Sequence, residues 1–210
     1  SNVHKGLRRA LCAILGQAGT AGETGELRAV ASRWRELQAL LCAHHHHEDV
    51  FIGPHLQRLS PKLLARMERD HDALQSEILA IGARAQELAL ADAVDVDLRG
   101  RAFYRQLAAF LSRYFAHMAE EESVYVEVLQ AAYSDAELAA IEAALVASIE
   151  PALMTAFCTE IMPALTANEC FDMLDDVRRN APAVVFAGMS ELAEHVVQAG
   201  TWRTVERRLL

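Results

Sequence analysis

Residues 43–56 read AHHHHEDVFIGPHL. Four consecutive histidines, His44 to His47, run directly into Glu48 and Asp49. The run is internal and its flanks have helical periodicity, so it is not read as a terminal purification tag. On an α-helix, residues four apart share a face and lie about 6 Å apart along the axis. His44 and Glu48 form such a pair, and so do His45 and Asp49. An imidazole and a carboxylate on one face can hold a divalent transition metal. The apolar stripe favours the first pair. Leu27, Val30, Trp34, Leu37 and Leu41 step along a helix expected over residues 26–53, and the same spacing reaches His44, Glu48, Phe51 and His55. His44 and Glu48 should therefore point inward, where an ionised carboxylate needs a cation or a dense hydrogen-bond shell. His46 and His47 are expected to face solvent. Pro54 ends or kinks the helix, which leaves His55 a core or capping role.

Three further segments carry a polar residue inside an apolar stripe. Asn2 is expected to cap a helix over residues 3–15, with His4 on the face of Leu7, Leu11 and Leu15. Residues 16–25 read as a loop by composition. Ser60-Pro61 should open a helix over residues 61–88, on which His71 shares a face with Leu64, Met67, Leu74 and Ile78. Residues 91–98 carry three aspartates and read as a loop. A last long helix over residues 99–132 aligns Leu107, Phe110, Tyr114, His117, Glu121 and Val124. His117 and Glu121 repeat the spacing of His44 and Glu48. Glu122 competes with Glu121, and the stripe favours Glu121.

The expected architecture is all-α: an antiparallel four-helix bundle over residues 1–132, followed by an all-helical extension over residues 133–210. The chain has 210 residues, 52% of them hydrophobic, with 10 glycines and 5 prolines, a composition that suits helices and a sizeable core. Its net charge of −9 argues against nucleic acid as a partner. No apolar run is long enough to span a bilayer and no signal peptide is read, so a soluble cytoplasmic protein is expected. Cys12, Cys42, Cys158 and Cys170 form no CxxC and are expected to be buried free thiols.

Bundle interiors commonly house metal sites. The inward set here is His4, His44, Glu48, His71, His117 and Glu121. Nitrogen and oxygen donors without thiolate favour iron or manganese over structural zinc. If both glutamates bridge two metals about 3.5–4 Å apart, they supply roughly four bonds. The imidazoles supply about four more and a bridging oxide or hydroxide about two, of the roughly twelve that two octahedral metals need. Roughly two positions stay open, which suits O2, NO or peroxide. The ferritin-like scheme needs Glu-x-x-His on two helices. Only Glu68 to His71 has that frame on the candidate helices, so this scheme is rejected.

The pattern resembles the hemerythrin-like, or HHE cation-binding, domains. VHKGLR at residues 3–8 is similar to their first-helix motif, and HHHHEDVFIGPHL at residues 44–56 to their second. RDHDAL at residues 69–74 resembles the third, and FAHMAEEESVYVEVL at residues 115–129 the fourth. The resemblance covers residues 2–132. It implies a centre of two non-haem iron ions, with His4, His44, Glu48, His71, His117 and Glu121 as ligands. It also implies a role in O2 binding, iron sensing, or responses to nitric oxide and oxidants. One departure stands out. Oxygen-carrying members have two histidines four apart on the third helix; here either His71 is the second and Met67 stands at the first place, or His71 is the first and Gln75 stands at the second. The missing imidazole argues against reversible O2 carriage unless Glu68 or His45 compensates.

The extension carries two capping boxes, Ser134 to Glu137 and Thr166 to Glu169, with further helices opening near Pro151 and Pro182. His195, near Glu191 and Glu194, reads as a hydrated surface group. The extension could cover the bundle, form a homodimer or contact a signalling partner. The expected function is a di-iron protein that senses or handles a small diatomic ligand or an oxidant. The alternatives are an oxidoreductase acting on peroxide or nitric oxide, with Tyr114 as proton source, and an iron-responsive interaction module.

Overall fold

The computed structural model describes residues 1–92 and 95–210, and these contain helices and no strand. In chain order the helices are α1 (Asn2–Thr20), α2 (Thr24–Phe51), α3 (Gly53–Leu59), α4 (Pro61–Ala89) and α5 (Val96–Glu120). A π-helical segment, Glu121–Tyr125, joins α5 to α6 (Val126–Ala132). The remainder comprises α7 (Asp135–Ser148), α8 (Pro151–Ile161), a 3₁₀ turn (Met162–Ala164), α9 (Ala167–Asn180), α10 (Ala183–Val196) and α11 (Ala199–Leu209). No single helix among the described residues is long and apolar enough to cross a membrane.

Several boundaries differ from expectation for local reasons. α1 continues to Thr20, absorbing Gly16 and Gly19. Its buried stripe is His4, Leu7, Leu11, Ile14 and Ala18, so Ile14 takes the place expected for Leu15. The start of α2 is fixed by Glu26, whose carboxylate accepts from the N–H groups of Gly22 at 2.9 Å and Glu23 at 3.2 Å. Gly53-Pro54 breaks the next helix as expected: α2 stops at Phe51 and α3 restarts with proline in its first turn. Ala93 and Val94, in the expected loop over residues 91–98, lie outside the described residues, and Val96 already opens α5.

Contacts divide the chain into two compact units, and the division passes through α1. One unit is Leu11–Glu150. In it α4 packs along α2 and α5, α3 packs against α2, α4 and α6, and α7 lies against α2 and α6. Its centre is Trp34, edge-on to Phe103 at 6.4 Å and to Phe110 at 5.9 Å between ring centroids. Edge-to-face aromatic packing of this kind adds to the burial of large apolar surfaces. α7, assigned to the extension by sequence, groups with this unit and has no buried residue of its own.

The other unit is Ser1–Ala10 with Pro151–Leu210. Its core includes Met162, Cys170, Leu174, Trp202 and Val205. Both expected capping boxes are formed: Ser134 Oγ accepts from Glu137 N–H at the head of α7, and Thr166 Oγ1 from Glu169 N–H at the head of α9. Glu169 also pairs with Lys5. The cysteines are free; Cys158 and Cys170 are buried, whereas Cys12 is exposed because it lies on the solvent face of α1 between Leu11 and Ile14.

Two glycines of α1 test this packing in opposite directions. A Cβ on Gly6 would sit 2.8 Å from Ile161 Cα and 2.9 Å from Ile161 N, backbone atoms that cannot rotate aside. Gly6→Ala should therefore force α1 and α8 apart and lower the unfolding free energy in urea by about 1–3 kcal/mol. Gly16 sits in the same helix with nothing within 4 Å of such a Cβ. Gly16→Ala should raise stability by roughly 0.5–1 kcal/mol through helix propensity alone.

Candidate metal centre

Three helices of the Leu11–Glu150 unit bring their inward polar residues together. α2 stacks His44 and Glu48 one turn apart, with His44 Nε2 3.5 Å from Glu48 Oε1. At the junction of α5 with the π segment, His117 Nε2 lies 2.8 Å from Glu121 Oε1. His71 of α4 comes between the two carboxylates: its Nε2 is 3.6 Å from Glu48 Oε2 and 3.4 Å from Glu121 Oε1. The other ring nitrogen of His71, Nδ1, is 2.7 Å from Asp49 Oδ1. His44, His71, His117 and Glu121 are all buried. His4 is buried on α1, on the helix face of Leu7, Leu11 and Ile14, and belongs to the Ser1–Ala10 part of the other unit.

The π segment begins at Glu121, one turn after His117, and shifts the phase of the helix beyond it. A π turn inserts one extra residue into the helical repeat, and such insertions are frequent at functional sites. Past this turn the buried positions are Tyr125 and Leu129, while Val124, expected on the stripe, is 37% exposed. Glu121 is buried and Glu122 only partly so, in keeping with the choice between them.

Two carboxyl groups buried side by side cannot both stay ionised at ordinary cost. Burial pushes the Glu48 carboxyl well above the usual carboxylate range, and the neighbouring Glu121 charge adds to the shift. Burial acts on Glu121 in the same direction, but hydrogen bonds from His117 and His71 outweigh it and hold the group below that range. For His71, burial alone would lower the pKa; its bonds to Glu121 and Asp49 prevail and raise it. A bound cation would remove the conflict by letting both carboxylates ionise and leaving the imidazoles neutral.

His45 is the residue the sequence undervalued. It is 3% exposed, and neither ring nitrogen has a hydrogen-bond partner among the described residues. Its ring stacks on His71 at 4.4 Å with 8° between planes, and on Tyr114 at 5.5 Å. Burial, reinforced by the positive charges that His71, His44 and His117 would carry, pushes its pKa down to about 2. The signal was present: position 45 lies one turn beyond the buried Leu41. His47, expected in solvent, is also buried, because α2 is covered by α3, α4, α5 and α7 and so buries more than one stripe. His46 is exposed as expected.

The remaining polar residues fall outside the cluster. Glu68 is exposed. Met67 packs in an apolar cluster with Leu56 and Tyr125, whose phenol burial pushes up to about 12. Gln75 donates to Cys42 Sγ at 3.3 Å. His55 Nδ1 lies 2.7 Å from Tyr133 Oη, which fits a packing role at the α3–α6 corner. His195 is exposed, with Nδ1 2.7 Å from Glu191 O. Tyr114 Oη is buried without a hydrogen-bond partner among the described residues, and burial next to Glu48 and Glu121 keeps it protonated.

Within the Leu11–Glu150 unit two overlapping donor groups result, each with one atom per residue and all atoms within 4.8 Å of one another. They are His45, His71 and His117, and Glu48, His71, His117 and Glu121. Imidazole and carboxylate donors without thiolate, some with buried unpaired nitrogens, are suited to iron or manganese. Comparison with known proteins gives the same class of site. The hemerythrin HHE cation-binding domain matches residues 2–129. No curated protein and no solved structure matches the chain. The family match spans more than half of the 210 residues and contains every helix that supplies the cluster, so the chain belongs to the hemerythrin HHE cation-binding family.

Proposed function

We propose that the chain is a non-haem di-iron protein that senses or handles O2, nitric oxide or another small oxidant. In this reading α1, α2, α4 and α5 form an antiparallel four-helix bundle. His4, His44, Glu48, His71, His117 and Glu121 would hold two iron ions, with oxide or hydroxide as the further ligand. The observation that carries it is the inward carboxylate pair, Glu48 and the buried Glu121, with His71 Nε2 at 3.6 and 3.4 Å from them. His4 enters as a ligand through the family resemblance and through its buried place on α1. The ligand is a small molecule, and neither nucleic acid nor a membrane has a part. A cytoplasmic protein and a homodimer through residues 133–210 belong to the same proposal.

Bound iron would supply open coordination positions and one-electron chemistry; the protein supplies orientation, charge and dryness. Asp49 accepts from His71 Nδ1–H, which fixes the ring and leaves Nε2 as the inward donor, the usual arrangement behind a metal-binding histidine. Glu48 and Glu121 provide the negative charge that two cations require. Phe110, Tyr114 and Met118, all fully or nearly fully buried, keep water from that side. Tyr114 holds a proton at Oη with its ring centroid 6.3 Å from that of His117. That proton favours a second reading, an oxidoreductase acting on peroxide or nitric oxide, since reduction of either consumes protons.

Anaerobic loading of the full chain with ferrous iron should give two tightly held ions per chain. A single ion would contradict the di-iron reading. His44→Ala and Glu121→Ala should each empty or unbalance the site, whereas His195→Ala should leave metal content unchanged. Equal losses from all three would mean that the C-terminal residues share the centre. Asp49→Asn should weaken metal binding about 10–100-fold while leaving the helical content intact. Titration with ferrous iron against a competing chelator, alongside circular dichroism, measures both.

A further inference from the structure

The second imidazole of the third-helix motif is replaced by Met67 or Gln75, and both side chains are engaged elsewhere. Met67 Sδ lies on a side chain packed with Leu56 and Tyr125, and Gln75 is engaged by Cys42. Glu68, one position along, is exposed. An imidazole of another helix does occupy the interior at this level. His45 is buried with both nitrogens lacking a hydrogen-bond partner among the described residues. A buried neutral imidazole normally satisfies at least one nitrogen, and leaving both bare costs free energy that packing alone does not return.

The surroundings say what the missing partner is. One nitrogen of His45 lies within 4.8 Å of a nitrogen of His71 and of His117. Two imidazoles bound to one ion at ~2.1 Å sit at most ~4.2 Å apart. The three donor nitrogens are close to that spacing, and the His45 ring would turn out of its 8° alignment with His71 to share an ion. No carboxylate hydrogen bond competes for His45, because Asp49, one turn beyond it on α2, is turned to His71 Nδ1 instead. The rings of His44 and His45 are 6.0 Å apart, so the two neighbours on α2 reach different parts of the cluster: His44 toward Glu48, His45 toward His71 and His117.

We infer that His45 is a metal ligand, and that the second helix thereby supplies the imidazole the third helix lacks. The inference rests on the di-iron reading above. In that arrangement His45, His71 and His117 would serve one ion. The histidine run is then functional in two of its four members, and the departure at Met67 is compensated within the chain.

The test uses the full chain labelled with ¹⁵N-histidine and loaded anaerobically with cobalt(II), a paramagnetic stand-in for ferrous iron. In the wild-type chain the imidazoles of His4, His44, His45, His71 and His117 should all show hyperfine-shifted resonances, and His46, His55 and His195 should not. His45→Gly should lose one shifted imidazole and retain metal at least about tenfold more weakly, since even an orienting partner is worth that much. Free imidazole should restore both in this variant and have no effect on His46→Gly. A wild-type chain that binds two ions with His45 unshifted overturns the inference and leaves the di-iron reading standing. A wild-type chain that binds no metal overturns both. A His45→Gly chain that is merely less stable without metal, with unchanged metal affinity, shows that His45 only packs. The wild-type spectrum decides the matter even if the variant does not fold.

Discussion

Two carboxyl groups, Glu48 and Glu121, are held inside a helical unit with a histidine nitrogen within 3.6 Å of each. Most other features of the centre depend on this arrangement. A buried carboxylate is tolerated only with compensating positive charge or hydrogen bonds. Here the compensation comes from three imidazoles, His44, His71 and His117, each drawn from the inward stripe of a long helix. Without a cation the balance is uneven, with Glu48 driven toward its neutral form while Glu121 stays ionised. The convergence of these carboxylate and imidazole donors on one small volume is the physical reason for treating the cluster as a metal centre rather than a polar core network, and the family match to residues 2–129 agrees with it.

The helices around the pair are arranged to keep it rigid. α2 carries both His44 and Glu48, so their spacing is set by backbone geometry and not by packing. His71 is fixed from behind by the half-exposed Asp49. Glu121 follows His117 by one turn at the start of the π segment, whose extra residue turns Tyr125 inward and leaves Val124 at the surface. Apolar residues close the same space, with Trp34 held between Phe103 and Phe110 and Tyr114 packed on Phe110 at 5.2 Å. A site built on helix faces in this way holds its geometry better than one built on loops.

The convergence of His44, Glu48, His71, His117 and Glu121 was legible in the sequence because each interrupts an apolar stripe with a polar residue at helical spacing. Helix boundaries at Ser60-Pro61, Gly53-Pro54 and the two capping boxes were legible for the same local reason. What periodicity does not report is how wide the buried face of a helix is. α2 is covered on several sides, so His45 and His47 are buried beside His44, and a reading of one narrow stripe placed them at the margin or in solvent. The π segment was equally hidden: EESVY has no composition that distinguishes it from α-helix, and the extra residue shows only in which positions become buried after it. The grouping of Ser1–Ala10 with Pro151–Leu210 depends on contacts such as Gly6 against Ile161, between residues far apart in the chain.

X-ray absorption at the iron edge of the loaded full chain reads out whether nitrogen and oxygen donors hold a dinuclear centre. The expected spectrum has a first shell of nitrogen and oxygen only, the outer-shell scattering of imidazole rings, and a second metal about 3.5–4 Å away. A sulfur scatterer, which would bring Cys42 into the first shell, or the absence of any metal neighbour would contradict it.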